Sequence, residues 1–171
     1  MGGGSIAYEK LEKLLDFTTD ITIVSREFSD VVMDKARQWQ LKTIEREYRA
    51  GDLDGFDIVV VATNTIDIHR QIYLESRDSR VLVNSVDDTR YCDFIFPSYL
   101  KQGDLTIAFS TSGASPAFAK HIRRYFQKKI PDGVDLFLQK MKDLRDEIPK
   151  GKERMKRFDS MARDFIEKHF K

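Results

Sequence analysis

The segment Asp57-Ile-Val-Val-Val-Ala62 constrains this chain most, because it holds four Ile and Val residues in a row with no polar interruption. A strand that faced water on one side would alternate apolar and polar residues; an unbroken run implies burial on both faces, as in a parallel sheet covered by helices. The surrounding pattern agrees. Ser5 to Asp16 carries a helical stripe in Ile6, Leu11, Leu14 and Leu15, Asp20 to Ser25 is a short β-branched run, and Phe28 to Gln40 returns to helical spacing through Val31, Val32, Ala36 and Trp39. Lys42 to Glu47 reads as a strand, Thr65 to Arg77 as a helix and Arg80 to Asn84 as the next strand. This alternation of strands and helices, broken only by the loop between Lys42–Glu47 and Asp57–Ala62, predicts an α/β, doubly wound parallel sheet.

The pattern changes after Asp87. Phe94-Ile-Phe96 and Leu105 to Ser110 read as strands separated by a turn at Gln102-Gly103-Asp104, and everything from Pro116 onward reads as helix, with Pro131-Asp-Gly133 and Pro149-Lys-Gly151 as breaks. This spacing predicts a nucleotide-binding domain over residues 1–111, a dimerisation region over 112–148 and a helical segment over 149–171. With 41% apolar and 33% charged residues the composition is that of a globular protein. No apolar run is long enough to cross a membrane, and no basic stretch followed by an apolar one marks a secretory signal. The single cysteine, Cys92, has no partner for an internal disulfide, which points to a reducing, cytoplasmic setting. The charge is lopsided: residues 120–171 hold sixteen Lys and Arg against nine Asp and Glu, a balance of +7, which leaves −6 on the first 119. Such a basic third suits an acidic ligand or nucleic acid, although solvated helix faces are the plainer account of it.

Gly2-Gly-Gly4-Ser-Ile-Ala7 fits the spacing G-x-G-x-x-A. In that motif the first glycine makes a tight turn, the second lets backbone approach a pyrophosphate, and the small third residue packs helix on sheet. Gly2, Gly4 and the amides of Ser5 and Ile6 are therefore expected to hold a dinucleotide at a helix N-terminus. A flexible linker is the competing reading; Ala7 and the βαβ pattern that follows at once weigh against it. Only Met1 precedes the motif, so the strand expected at the sheet's centre is absent from the sequence, and its neighbours are expected to present unpaired edges. The second strand ends in Val24-Ser-Arg-Glu27, where a ribose is usually bound. Ser25 suits a hydroxyl and Arg26 suits a 2′-phosphate, so NAD and NADP both remain open on these residues.

Three further segments belong at the crevice of such a sheet. Ala62, Thr63 and Asn64 end the apolar strand, Asn84-Ser-Val-Asp-Asp88 ends the next, and Ser110-Thr-Ser-Gly-Ala-Ser-Pro116 is a hydroxyl-rich loop with Ser115 as helix N-cap. Asp87 is a candidate proton acceptor; a turn cap is the plainer role for it. Adjacent side chains diverge along an extended segment, which predicts a solvent-facing Asp88. His69 is expected at the surface, Cys92 as a partly buried small side chain, and the scattered histidines give no metal site.

With Gly2-Gly-Gly4 and Ala7, Glu45-Arg-Glu-Tyr48, Asp52-Leu-Asp-Gly55, Val61-Ala-Thr63, Asn84-Ser-Val-Asp87, Asp93-Phe-Ile-Phe-Pro97 and Ser112-Gly-Ala-Ser-Pro116 in this order, the chain resembles the precorrin-2 dehydrogenase family, including the N-terminal half of siroheme synthases. The resemblance implies a Rossmann domain, a homodimer, and NAD-dependent oxidation of the tetrapyrrole precorrin-2 to sirohydrochlorin. Some relatives also insert ferrous iron. It places the family's aspartate on Asp87, nucleotide contacts on Gly2, Gly4, Ser5, Ile6, Ser25, Arg26, Ala62, Thr63 and Asn64, and substrate contacts on Asn84, Ser112, Gly113 and Ser115. It implies neither nucleic acid nor membrane as a partner. Asn64 stands where the family often has Asp, and Thr111 where some members have Ser. A nucleotide-binding regulatory module without catalysis, and a truncated, inactive dehydrogenase, are the alternative readings.

Overall fold

The computed structural model describes residues 1–86 and 88–170; Asp87 and Lys171 lie outside the described residues. The chain divides into two compact units, Met1–Phe96 and Pro97–Lys171.

The first unit alternates helix and strand as the periodicity predicts: α1 (Ser5–Leu15), β1 (Thr22–Ser25), α2 (Asp30–Gln38), β2 (Lys42–Glu45), β3 (Ile58–Val61), α3 (Ile66–Ser76) and β4 (Leu82–Ser85). β1 pairs with β2 and β3 with β4, both in parallel, with Thr22 opposite Lys42 and Ile58 opposite Leu82. These form two separate two-stranded sheets. Each has its own buried cluster. Leu11, Ile23, Val32 and Ala36 pack under β1, whereas Leu53, Val59, Val61, Ile72, Val81 and Val83 pack around β3 and β4.

Met1 and Gly2 join the two sheets. The Met1 amine donates to the Val60 carbonyl at 2.8 Å and the Ala62 N–H donates to the Met1 carbonyl at 2.8 Å, while the Gly2 N–H donates to the Val24 carbonyl at 2.9 Å. That alternation, one residue bonding left and the next bonding right, is the pattern of a parallel strand between two neighbours. The apolar run of β3 is not buried on both faces as its composition suggests. Val59 and Val61 are buried, but Ile58 is 48% exposed, and Ile58, Val59 and Val60 all line the open space between β1 and β3.

Ion pairs hold the loops. Arg46 grips Asp52 through both guanidinium nitrogens, at 2.7 and 2.6 Å, and Arg77 bonds Asp93 at 2.6 Å. Each guanidinium holds its carboxyl below the usual range, so both carboxylates stay ionised. Tyr48 donates to Glu75, and the same carboxylate accepts from the Gly51 amide. Asp93 also accepts from the Val83 amide at 2.8 Å, fixing the chain after β4.

In the second unit β5 (Ser98–Gln102) and β6 (Leu105–Phe109) form an antiparallel hairpin, followed by α4 (Pro116–Gln127), α5 (Val134–Glu147) and α6 (Lys152–His169). The partner of β6 is therefore not Phe94-Ile-Phe96. The register Gln102 opposite Leu105 closes a two-residue Gly103-Asp104 turn, which obliges the preceding strand to run up to Gln102. Phe94 and Phe96 instead meet edge to face in the first unit, with centroids 5.3 Å apart. The hairpin, grouped with residues 1–111 on sequence, belongs to the second unit. Phe109 stacks on Phe126 and Phe137 on Phe165, with centroids 5.4 and 4.2 Å apart, tying the helices to the hairpin and to one another. Among the described residues no helix is long and apolar enough to cross a membrane.

Burial of the Met1 amine lowers its pKa from 8.0 to about 6. The unfolded chain then binds more protons between pH 6 and 8, so stability is fully relieved above pH 8 and falls as pH drops through that window, by roughly 2 to 3 kcal/mol. Denaturant titrations at several pH values should show this slope, and acetylation of the amine should abolish it.

Candidate functional site

The three glycines at the start of the chain do different physical work. Gly2 has a φ of +118°, and a β-carbon there would stand 2.2 Å from the Ala62 carbonyl oxygen, so only glycine fits. A β-carbon on Gly3 would stand 2.1 Å from the Glu27 carbonyl oxygen and 2.8 Å from Ser25 Oγ. The Gly3 carbonyl in turn accepts from the amide and the hydroxyl of Ser29, both at 2.9 Å. Packing thus explains the first two. Around Gly4 nothing lies within 4 Å of the position a β-carbon would take. Neither packing nor φ demands glycine at this point, and the bare backbone is left open to a ligand.

Gly4 is also the N-cap of α1, and it offers no side chain to the first turn. The first backbone bond of the helix runs from the Tyr8 N–H to the Gly4 carbonyl at 3.0 Å. The amides of Ser5, Ile6 and Ala7 precede that bond and have no helical acceptor. A helix N-terminus with unmet donors beside an unobstructed glycine fits a pyrophosphate.

Beside it, at the end of β1, Ser25 Oγ donates to the Glu27 carbonyl at 2.6 Å, which commits its proton and leaves its lone pairs. Arg26 meets Glu47 at 3.3 Å with both side chains exposed, a pair that solvent weakens and a ligand can open. Ala62 is held by Met1, and Thr63 Oγ1 accepts from the Thr65 amide at 3.3 Å; Asn64 is exposed. The structure therefore brings Gly2, Gly4, Ser5, Ile6, Ser25, Ala62 and Thr63 to one edge of the parallel strands.

The residue that sequence reasoning misplaced is His69. It is not at the surface but 2% exposed, on the inward stripe of α3 with Ile72 and Ser76. Nε2 lies 2.9 Å from the Thr63 carbonyl, which can only accept, so that nitrogen carries the proton; Nδ1 then accepts from Ser85 Oγ at 2.6 Å. One imidazole thus clips the end of β3 to the end of β4. Its spacing from Ile72 and Ser76, three and seven positions on, was the available signal.

The end of β4 is further fixed by Cys92, whose Sγ accepts from the Ser85 amide at 3.2 Å and donates to the Ser85 carbonyl at 3.0 Å. Burial pushes this thiol upward, so it is a structural group and no nucleophile. Asn84 is 4% exposed; its Nδ2 donates to the Phe94 carbonyl at 2.9 Å, and its buried Oδ1 has no partner. Asp88 is not solvent-facing as expected. Its side chain is 11% exposed and accepts from the Arg90 amide and guanidinium, at 3.1, 2.9 and 2.7 Å, as the cap of a single 3-10 turn over Thr89–Tyr91. Arg90 holds its pKa below the ordinary value. Asp87, the candidate proton acceptor, lies outside the described residues.

Ser112, Gly113 and Ser115 belong to the second unit. Thr111 organises their loop: its carbonyl accepts from the Ala114 amide at 2.9 Å and its Oγ1 from the Ser115 amide at 3.0 Å. Ser115 Oγ caps α4 by accepting from the Phe118 amide at 3.2 Å, while Ser112 and Gly113 are exposed at φ of +51° and +84°. Among the described residues no group of three or more His, Cys, Asp or Glu could hold a metal ion.

Comparison with known proteins follows this division. Residues 1–98 match the family described as "Putative NAD(P)-binding", and residues 102–128 match "Sirohaem biosynthesis protein central". The chain belongs to this NAD(P)-binding family. It is 29% identical to a siroheme synthase of Methylococcus capsulatus over 148 residues, covering 86% of this chain and 31% of that protein. It is 32% identical to siroheme synthase 1 of Serratia proteamaculans over 131 residues, covering 77% and 28%. The chain thus spans about a third of the length of these relatives. A solved structure titled "SirC, precorrin-2 dehydrogenase" shares the fold with a TM-score of 0.75 at 24% identity, over 90% of this chain and 76% of that one.

Two substitutions separate packing from ligand binding. Gly2→Ala should cost about 2 to 4 kcal/mol of stability, since a β-carbon collides with backbone. Gly4→Val should cost under about 1 kcal/mol, the usual scale at an N-cap, yet weaken NAD(H) binding at least about tenfold, measured by calorimetry. His69→Ala should destabilise the first unit by about 2 to 4 kcal/mol, because it leaves a cavity and two buried polar groups unpaired.

Proposed function

We propose that this chain binds NAD at the N-terminus of α1 and oxidises precorrin-2 to sirohydrochlorin. The observation that carries the reading is the open β-carbon position at Gly4, on a helix start whose first amides have no acceptor. The family match over residues 1–98 supports a nicotinamide cofactor, and the siroheme synthases supply the substrate class.

When bound, NAD supplies the hydride acceptor for the reaction. The protein's own work is to hold the cofactor and to take the proton that leaves with the hydride. The amides of Ser5 and Ile6 meet the pyrophosphate, and the lone pairs of Ser25 Oγ suit a ribose hydroxyl. Ala62, Thr63 and Asn64 form the far wall of the nucleotide site. We assign the proton to the Asp87 carboxylate. Asp88 is a poor base, because Arg90 keeps its carboxylate paired and its pKa low. His69 holds the hydroxyl of Ser85 and Cys92 holds its backbone, two residues before Asp87 in sequence, and both act as positioning residues.

The second unit by itself carries the hydroxyl-rich loop with Ser112, Gly113 and Ser115 and, on α4, Lys120, Arg123 and Arg124, groups that suit the many carboxylates of a tetrapyrrole. Homodimer formation belongs to the same proposal. Insertion of ferrous iron is a separate activity, read out by siroheme formation from sirohydrochlorin.

The test is turnover. Protein, precorrin-2 and NAD should generate reduced nicotinamide absorbance. Asp87→Asn should lower kcat by at least about a hundredfold, the usual range for a general base, with NADH affinity changed by less than about twofold. Unchanged kcat removes Asp87 from the mechanism; tight NADH binding with no turnover of wild-type protein favours a regulatory module instead.

A further inference from the structure

The peptide between Gly3 and Gly4 joins two residues that lack a β-carbon, so local sterics alone leave it free to rotate. Contacts from outside the turn fix it. The Gly3 carbonyl accepts from the amide and the hydroxyl of Ser29, both at 2.9 Å and 26 positions away in sequence. Both of its lone pairs are then in use. A planar trans peptide holds its N–H opposite to its C=O. Turning the Gly3 carbonyl onto Ser29 therefore turns the Gly4 N–H away from the loop that joins β1 to α2. Among the described residues no acceptor meets that N–H, and nothing lies within 4 Å of the position a Gly4 β-carbon would take.

Ser29 does this at the expense of its own helix. It is the N-cap of α2, at φ −70° and ψ 152°, yet its side chain makes no cap hydrogen bond there. A serine in this position ordinarily turns its oxygen to an amide of the first turn. Here the hydroxyl donates to a carbonyl on a different element instead. A local preference overridden in this way points to a task outside the helix. The placement of Ser29 is set by packing: Val32 and Ala36 of α2 are buried with Leu11 and Ile23, and Phe28 packs against the same cluster. Within the loop Ser25 Oγ donates to the Glu27 carbonyl at 2.6 Å. A β-carbon on Gly3 would stand 2.1 Å from that carbonyl oxygen, so loop and glycine turn touch with no room for a side chain.

We infer that Ser29 is a positioning residue for nucleotide binding: its amide and hydroxyl hold the Gly3 carbonyl so that the Gly4 N–H is aimed at a phosphate oxygen before the nucleotide arrives. The inference rests on the reading that a dinucleotide lies at the start of α1. It adds a donor to the amides of Ser5 and Ile6, which the helix itself aims. Gly4 precedes the helix, so its orientation depends on the link from Gly3 to Ser29. An amide fixed in advance loses little freedom on binding, whereas an untethered peptide between two glycines has to be ordered by the ligand. The Ser29 hydroxyl proton is committed to Gly3, so the residue acts through that peptide.

The test uses the whole chain as Ser29→Ala and Ser29→Thr. Ser29→Ala should raise the NADH dissociation constant by roughly three- to tenfold, the range that one hydrogen bond sets. Ser29→Thr keeps the hydroxyl and should stay within about twofold of wild type. A loosened fold would also weaken binding, so a second readout follows single residues. Inorganic pyrophosphate is titrated while the amide resonances of Gly4, Ser5 and Ile6 are recorded by nuclear magnetic resonance. In wild type and Ser29→Thr all three should shift; in Ser29→Ala the Gly4 shift should be lost while Ser5 and Ile6 keep theirs. A Gly4 amide that ignores pyrophosphate in wild type would overturn the proposal. So would a Gly4 response unchanged in Ser29→Ala, or a loss shared equally by all three amides. Wild-type protein that fails to bind NADH, yet shows the Ser29-dependent Gly4 response to pyrophosphate, would remove the cofactor reading and leave the positioning role in place.

Discussion

Two residues of extended backbone carry more of this structure than any helix. Met1 and Gly2 are the only pieces of chain that hydrogen-bond both to β1 and to β3 among the described residues, and the two parallel sheets meet through them. Each sheet is otherwise a βαβ unit with its own buried cluster, and a two-stranded sheet is marginal unless it packs on something. Gly2 is irreplaceable for the same reason: the strand end must pass within contact distance of the Ala62 carbonyl before turning into α1. The site inherits its geometry from this crossing, since the N-terminus of α1 is aimed by the turn that follows Gly2.

The site's rigidity comes from groups that do no chemistry. His69 links the ends of β3 and β4, Cys92 holds Ser85, and Asp93 holds Val83 and Arg77. Several segments that carry the family resemblance turn out to be latches of this kind: Arg46 grips Asp52, and Tyr48 reaches Glu75. Motif residues therefore divide into those that leave backbone open, as at Gly4, and those that keep loops in place. Asp88 shows how narrow the division is, since a carboxylate beside the candidate base is spent on capping a turn and pairing with Arg90.

Exposure also separates the halves of the molecule. The helical stripes of the first unit bury Leu11, Val32 and Ala36 while leaving Ile6, Val31 and Trp39 exposed, whereas α5 and α6 leave Leu136 and Met155 more than 70% exposed. A homodimer of the kind the family resemblance implies would cover such faces.

The alternation of strands and helices, the order of the motifs and the N-cap at Ser115 were legible in the sequence, because they rest on local periodicity and on turn chemistry that a few neighbouring residues decide. The glycine spacing likewise set a glycine at the start of α1. Tertiary structure alone decided which glycine is open and which is packed, since that depends on the Ala62 and Glu27 carbonyls, twenty or more residues away. It decided that His69 is buried, that Asp88 is paired, that Ile58 faces an open groove, and that Ser98–Gln102 partners β6. Each of these is a question of what lies across the gap from a residue. A chain's own periodicity reports which face of an element is apolar, but only the packed fold reports what that face meets.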